Sequence, residues 1–156
     1  MSVKRIEHGH RYEDFEVGRV FQHHWGRTLT QADNTLFVSL TMHYNPLYVN
    51  AEYARTLGYE SCPIHPLLVF NTALGLSVED LSEGGGPFLG LGDVRFFRPV
   101  YSGDTLAAES EVLSRRLTAS RPGWAIVSWR TRGYNQRQEL VLEYQRTNLV
   151  RTRSAS

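Results

Sequence analysis

Pro66-Leu67-Leu68-Val69-Phe70-Asn71-Thr72-Ala73-Leu74-Gly75-Leu76 is the stretch on which the fold turns. Proline at its first position suits the opening turn of a helix, where a backbone N–H would have no partner in any case. Leu67, Leu68, Phe70, Leu74 and Leu76 make the segment apolar on more than one side, the pattern of a buried central helix. Downstream, Gly84-Gly85-Gly86-Pro87 breaks the chain, and the periodicity then changes. Val94 and Phe96 alternate with Arg95 and Phe97 ahead of Pro99, and Gly103-Asp104 marks a turn. The segments 105–117, 124–134 and 139–150 are rich in β-branched and aromatic residues, with turn signals at Arg121-Pro122-Gly123 and over 133–136. Helices followed by strands predict an α+β fold, with the helices on one face of a mainly antiparallel sheet.

Upstream of the central helix, 20–27 reads as an opening strand that ends near Gly26. Thr30 offers an N-cap oxygen with Asp33 three positions on, a capping box with Asp in place of Glu. Leu36, Phe37 and Leu40 recur behind it at helical spacing. Pro46 suits the first turn of a further helix running through 51–57 and stopping at Gly58.

Bulk composition narrows the classes. With 156 residues, 41% hydrophobic and 21% charged, the chain is one ordinary globular domain, core about 12–150, large enough to fold without disulfides or metal. A net charge of +1 gives no electrostatic case for nucleic acid or an anionic membrane. Cys62 stands alone, so no internal disulfide framework exists and a reducing compartment fits. No run approaches the roughly 18 apolar residues of a spanning helix. Residues 1–14 are polar and lack the apolar region of a secretory signal, which makes the cytoplasm the expected location. The polar tail 151–156 is expected to fray.

Chemistry concentrates at Thr41-Met42-His43-Tyr44-Asn45-Pro46-Leu47-Tyr48, a proline-fixed corner between two helices. An imidazole at 43 could take a proton at neutral pH or rest as a hydrogen-bonded histidine at a helix end. The phenol at 48 could donate a proton or a hydrogen bond, or pack with its hydroxyl satisfied. His65, just before Pro66, could serve as a donor at the mouth of the central helix or as its cap. Asn45 could touch a ligand or cap the turn at Pro46, and Asp33 and Asn34 are expected to serve the start of their helix. His23 and His24 are adjacent on a strand, point to opposite faces and cannot share an ion, so no metal site is expected. Arg115, Arg116 and Arg121 could meet the phosphates of a pantetheine-linked carrier, although arginines on a sheet edge are more often solvated.

Three segments together resemble the MaoC-like branch of the hot-dog superfamily, the (R)-specific enoyl-CoA hydratases and dehydratases. They are Arg27-Thr28 through Asp33 to Phe37, then His43-Tyr44-Asn45-Pro46-Leu47-Tyr48, then Arg98-Pro99-Val100-Tyr101-Ser102-Gly103-Asp104-Thr105-Leu106. The resemblance implies a hot-dog fold, a helix wrapped by an antiparallel sheet. It also implies addition or removal of water across a 2-enoyl thioester on coenzyme A or an acyl carrier, with branched or dicarboxylic groups of the mesaconyl or itaconyl type among the candidates. In the family pattern an Asp and a His hold the water, and a Gly N–H at the central helix polarises the thioester carbonyl. Here those positions are His43, Tyr48 and Pro66, and proline has no N–H to give. The expected catalytic residues are therefore His43, Tyr48 and His65, with Asn45, Pro66 and Asn71 on the substrate side. No cofactor is implied beyond the coenzyme A of the substrate. At least a homodimer is implied, with spare apolar surface on the strands carrying Trp124 and Trp129. Two alternatives stay open: a non-catalytic acyl-thioester or small-ligand binding domain, and a thioesterase, for which Glu52 and Glu60 are the nearby carboxylates.

Overall fold

A computed structural model describes residues 8–155. In chain order they form β1 (Val20–Gln22), β2 (Arg27–Thr28), α1 (Gln31–Leu40), α2 (Ala51–Thr56), α3 (Pro66–Leu76), α4 (Val78–Leu81), β3 (Phe88–Phe96), β4 (Thr105–Leu117), β5 (Trp124–Tyr134) and β6 (Leu140–Arg151). Single 3₁₀ turns lie at Tyr12–Asp14, Pro46–Tyr48 and Arg153–Ala155. The expectations for the polar N-terminus and for the tail fall partly on 1–7 and 156, outside the described residues.

The sheet is antiparallel throughout, in the order β1-β4-β5-β6-β3, with β2 also pairing β4. Its long strands alternate as a half-buried sheet must, since successive side chains point to opposite faces. Ala125, Val127, Trp129, Thr131 and Gly133 turn inward on β5, and Leu142, Tyr144, Arg146, Asn148 and Val150 do so on β6. α3 lies against this inner face through Val69, Phe70 and Ala73. Phe70 meets the Tyr144 ring edge-on, with 4.8 Å between centroids. Gly133 permits the close approach: a Cβ there would overlap Leu142 Cδ2 and reach 3.6 Å from Ala73 Cβ. This is the α+β arrangement expected, a helix held in a sheet.

Several sequence expectations shift. The strand expected over 20–27 is two strands. Between them His23 turns into the core, where Nδ1 lies 2.6 Å from Asp80 Oδ2 and Nε2 lies 2.9 Å from Ser110 Oγ. The helix expected from Pro46 to Leu57 is a 3₁₀ turn followed by α2, because Asn50 is extended and caps α2 itself, accepting from Tyr53 N–H at 3.1 Å. The buried face of α1 carries Asn34 and Val38, whereas Leu36 and Leu40 are exposed. Trp129 is fully buried, and Trp124 sits beneath the guanidinium groups of Arg121 and Arg151 at 4.5 and 5.1 Å. Spare apolar surface lies instead on Leu67 of α3 and on Phe88, Leu91 and Phe96 of the edge strand β3.

Candidate active site

α1 ends in a reversal that aims His43 back toward the core. His43 N–H reaches Val38 O at 3.0 Å and Met42 N–H reaches Ser39 O at 3.4 Å, the paired bonds of a Schellman ending. Met42 takes the left-handed position with φ 56°, where glycine is the usual residue and any other carries roughly 1 kcal/mol or more of strain. The chain then turns again. Asn45 Oδ1 accepts Leu47 N–H at 3.0 Å, Pro46 opens the 3₁₀ turn, and Tyr48 swings inward.

His65 caps α3: its Nδ1 accepts Leu67 N–H at 3.2 Å. Its own N–H donates to Asn34 Oδ1 at 2.8 Å, and Asn34 Nδ2 donates to Tyr48 O at 2.9 Å and Pro63 O at 3.2 Å. One buried asparagine thus ties α1, the Tyr48 turn and the start of α3 together, in a setting where each unmade bond would be costly. Asp33 does cap its helix as expected, through Thr30, but Asn34 serves the site.

These supports bring the three expected residues together. His43 Nδ1 is 2.8 Å from His65 Nε2, and the Tyr48 ring centroid is 4.4 Å from that of His65. Phe37 walls both imidazoles, at 6.2 and 5.2 Å between centroids. The hydrogen bonds dictate the tautomers of the neutral pair. A backbone N–H can only donate, so His65 Nδ1 is bare and its proton sits on Nε2. That proton points at His43 Nδ1, which leaves the His43 proton on Nε2. Burial, then the neighbouring His43, holds the His65 pKa below the usual histidine value. Burial, then Tyr59, pushes the Tyr48 phenol up, so it stays protonated as a donor.

Beside Tyr48 opens a cavity of about 270 Å³, lined by Ile64, Pro66, Val69 and Val100, by the phenols of Tyr48 and Tyr59, and by Arg98. Pro66, expected on the substrate side, is part of this lining. His43 and His65 are not part of this lining; of the three, only Tyr48 is. Asn45 spends its carbonyl on the Leu47 amide. Asn71 lies apart, in a second cleft with Trp25 and Arg27, its Nδ2 bonded to Leu67 O at 2.8 Å. No backbone donor is spare where α3 begins: Leu67 N–H goes to His65 Nδ1, while Leu68 and Val69 N–H go to His65 O at 2.9 and 3.1 Å. Glu52 pairs with Arg55 on the surface, and among the described residues no carboxylate lines the cavity. Tyr59 and Arg98 were not singled out from the sequence, since nothing local marks residues that meet only across the fold.

Other clusters are structural in setting. Asp80, His23 and Ser110 line up as a carboxylate, imidazole and hydroxyl, but Ser110 is fully buried and continues to Thr131 Oγ1 at 2.7 Å. His24 is exposed, 3.6 Å from Glu79. Arg115 donates to Tyr12 O at 3.1 Å and stacks on its ring. Among the described residues no group of three His, Cys, Asp or Glu side chains could hold a metal, and no helix is long and apolar enough to cross a membrane.

A family model for mesaconyl-CoA hydratase matches residues 2–156. The mesaconyl-CoA hydratase of Haloarcula marismortui is 37% identical over 145 residues, covering 92% of this chain and 40% of that protein. A MaoC domain dehydratase structure from Chloroflexus aurantiacus is similar with TM-score 0.90 and 36% identity, over 97% of this chain and 43% of that one. The unliganded R-hydratase of Pseudomonas aeruginosa follows with TM-score 0.74 and 27% identity, over 91% of this chain and 86% of that one. The chain spans about two fifths of the length of the mesaconyl-CoA hydratases it matches. The fold is the α+β hot-dog fold expected from the sequence.

Proposed function

The chain belongs to the mesaconyl-CoA hydratase family, and from that premise we propose that it adds or removes water across the double bond of a short, branched or dicarboxylic 2-enoyl-CoA. The observation that carries this reading is the 2.8 Å His43–His65 contact held against Tyr48, whose ring borders an apolar cavity. His43 handles the water through Nε2, the one ring nitrogen of the pair that no protein group occupies among the described residues, with the reacting carbons at the cavity edge beside Tyr48, since His43 does not line the cavity itself. At rest this nitrogen bears a proton and can deliver it to a departing hydroxyl. Baring it takes a switch of both tautomers: the His65 Nε2 proton crosses the contact to His43 Nδ1, the His43 Nε2 proton leaves to water, and water protonates His65 Nδ1 at the cost of the Leu67 cap, roughly 1–3 kcal/mol. In hydration the bare nitrogen takes a proton as the water oxygen bonds to the β-carbon. The π electrons move onto the thioester oxygen, and the His43 imidazolium then returns a proton to the α-carbon. Tyr48 holds the enolate oxygen by a hydrogen bond, the work of the absent backbone donor. His65 orients His43 and shares its charge, with both of its own ring nitrogens engaged. No cofactor enters, because the thioester itself acidifies the α-carbon.

One observation favours a second reading. The first amides of α3 are all used within the helix cap, as a domain that binds acyl thioesters without turning them over would tolerate. A hydration assay across a panel of enoyl-CoAs separates the possibilities. Loss of the conjugated-enoyl absorbance without free thiol supports the lyase. Thiol release means a thioesterase, and silence with measurable acyl-CoA binding means a binding domain.

The exposed apolar residues point to a second copy as partner. Phe88, Leu91 and Phe96 stand opposite Asn148, Arg146 and Leu142, and so share the inner face of the sheet, where one chain leaves them uncovered. Light scattering should give twice the 17.8 kDa of a single chain; a monomer at working concentrations would rule the pairing out.

A further inference from the structure

The cavity beside Tyr48, at about 270 Å³, takes a short acyl group and leaves no room for a nucleotide. A second cleft, of about 430 Å³, borders the same helix and falls inside the roughly 300–1,000 Å³ of ligand sites. Leu68, Asn71, Gly75 and Leu76 line it along α3, and Trp25 lines it from the connection between β1 and β2. Pro66 and Val69 border the cavity while Leu68 borders the cleft, so both spaces meet the first turn of α3. From Pro66, Asn71 and Leu76 lie about 8 and 15 Å along the helix axis. A pantetheine arm, extended like a chain of four or five residues, covers roughly 15 Å.

The lining of the cleft suits an uncharged planar ring. Trp25 is 64% exposed, which leaves indole surface for stacking, and the His24 ring leans on it with 4.7 Å between centroids. Leu68 and Leu76 supply apolar surface. Gly75 keeps the space open, since a Cβ there would meet nothing within 4 Å. Arg27, the cation of the lining, is already paired with Asp33 at 2.8 Å, and Glu79 is acidic, so a heterocycle is favoured over a phosphate. Asn71 Nδ2 is committed to Leu67 O at 2.8 Å, which leaves the amide oxygen as an acceptor for an amino group on such a ring.

We propose that this cleft holds the adenine ring of coenzyme A stacked on Trp25, with the pantetheine arm laid along α3 and the acyl group in the cavity beside Tyr48. This rests on the hydratase reading above and adds to it a separate site for the far end of the substrate. The diphosphate stays at the solvent-facing mouth. A free adenine nucleotide carries the same ring and is the competing source.

The test compares an enoyl-CoA with the same enoyl group on pantetheine, which lacks the nucleotide, in Trp25→Ala and Gly75→Phe. The first removes the stacking surface and the second fills the cleft; both residues are exposed, so neither change disturbs a core. For the coenzyme A thioester, kcat/KM should fall about 5- to 50-fold, chiefly through KM, as for loss of one base–aromatic stack, while the pantetheine thioester changes by less than about threefold. Calorimetric titration with adenosine 3′,5′-diphosphate gives a readout that needs no turnover, and both variants should weaken that binding by a similar factor. Equal losses on the two thioesters, or none on either, would overturn the proposal. Adenosine diphosphate binding that is lost in the variants with no loss on the coenzyme A thioester would assign the cleft to a free nucleotide, and overturn it too. A wild-type protein that hydrates neither thioester sinks the hydratase reading itself. The titration then still decides the cleft: binding that both variants weaken sustains the adenine site, and no binding, or binding that they leave unchanged, overturns it.

Discussion

His43 Nδ1 lies 2.8 Å from His65 Nε2, and the Leu67 amide behind His65 decides which of the two nitrogens carries the proton. Two histidines 22 positions apart thereby share one hydrogen bond, and His43 Nε2 is the ring nitrogen of the pair that no protein group occupies among the described residues. Replacing His65 by Gln should keep the fold but free the His43 ring to rotate. We expect kcat to fall about 10- to 100-fold with KM little changed. A His65→Gln enzyme with wild-type kcat would show that the contact has no part in turnover.

Tyr48→Phe removes one hydroxyl and leaves the ring packed at a tilt against His65. If that hydroxyl holds the enolate oxygen, kcat should drop by roughly 10²–10³, the usual cost of losing one oxyanion donor. Steady-state kinetics on a short enoyl-CoA provides the check; a loss confined to KM would assign Tyr48 to binding alone.

Asn34→Ala strips a fully buried residue of three hydrogen bonds, leaving His65 N–H and the Pro63 carbonyl without partners and the Tyr48 carbonyl with only the 3.4 Å bond from Gln31 Nε2. The expected loss is about 2–4 kcal/mol in urea unfolding, with activity lost alongside it. A variant as stable as the wild type would mean that water replaces the amide without penalty.

His65 and His23 both have pKa values held below the usual histidine value, mainly by burial, although the hydrogen bond to Asp80 pulls His23 the other way. The unfolded chain therefore takes up protons first as the pH falls through about 6.5, and stability rises with pH across that window. The urea midpoint should be lower at pH 5 than at pH 7.5, and His65→Gln should shrink the difference. Equal midpoints at the two pH values would contradict the burial argument.

Gly133→Ala places a methyl group into Leu142, itself fully buried beneath α3. Overpacking at this contact should cost about 1–3 kcal/mol. Calorimetry showing no change in Tm would mean that Leu142 has room to move.

Much of this architecture is legible in the chain. The strands at 105–117 and 124–134 agree with the structure because alternation and turn residues mark both ends. Pro66 marks the start of α3 for the same local reason. Where the reading slips, a long-range contact or a competing cap is responsible. Asn50 caps its own helix and so divides the stretch from Pro46 to Leu57. His23 leaves the strand line for Asp80, 57 positions away. The corner of the site was visible as a set of residue types. Its wiring was not: Asn34 shows nothing in sequence of its bonds to 48, 63 and 65, and Tyr59 and Arg98 meet Tyr48 only around a cavity that the folded sheet creates.

The most direct test of the account is the hydration rate of His43→Ala on C1-mesaconyl-CoA, followed by loss of the conjugated-enoyl absorbance beside the wild type. Removal of the one free nitrogen of the pair should slow turnover by about 10²–10⁴-fold with the fold intact by circular dichroism. A folded His43→Ala protein that hydrates at the wild-type rate would contradict it.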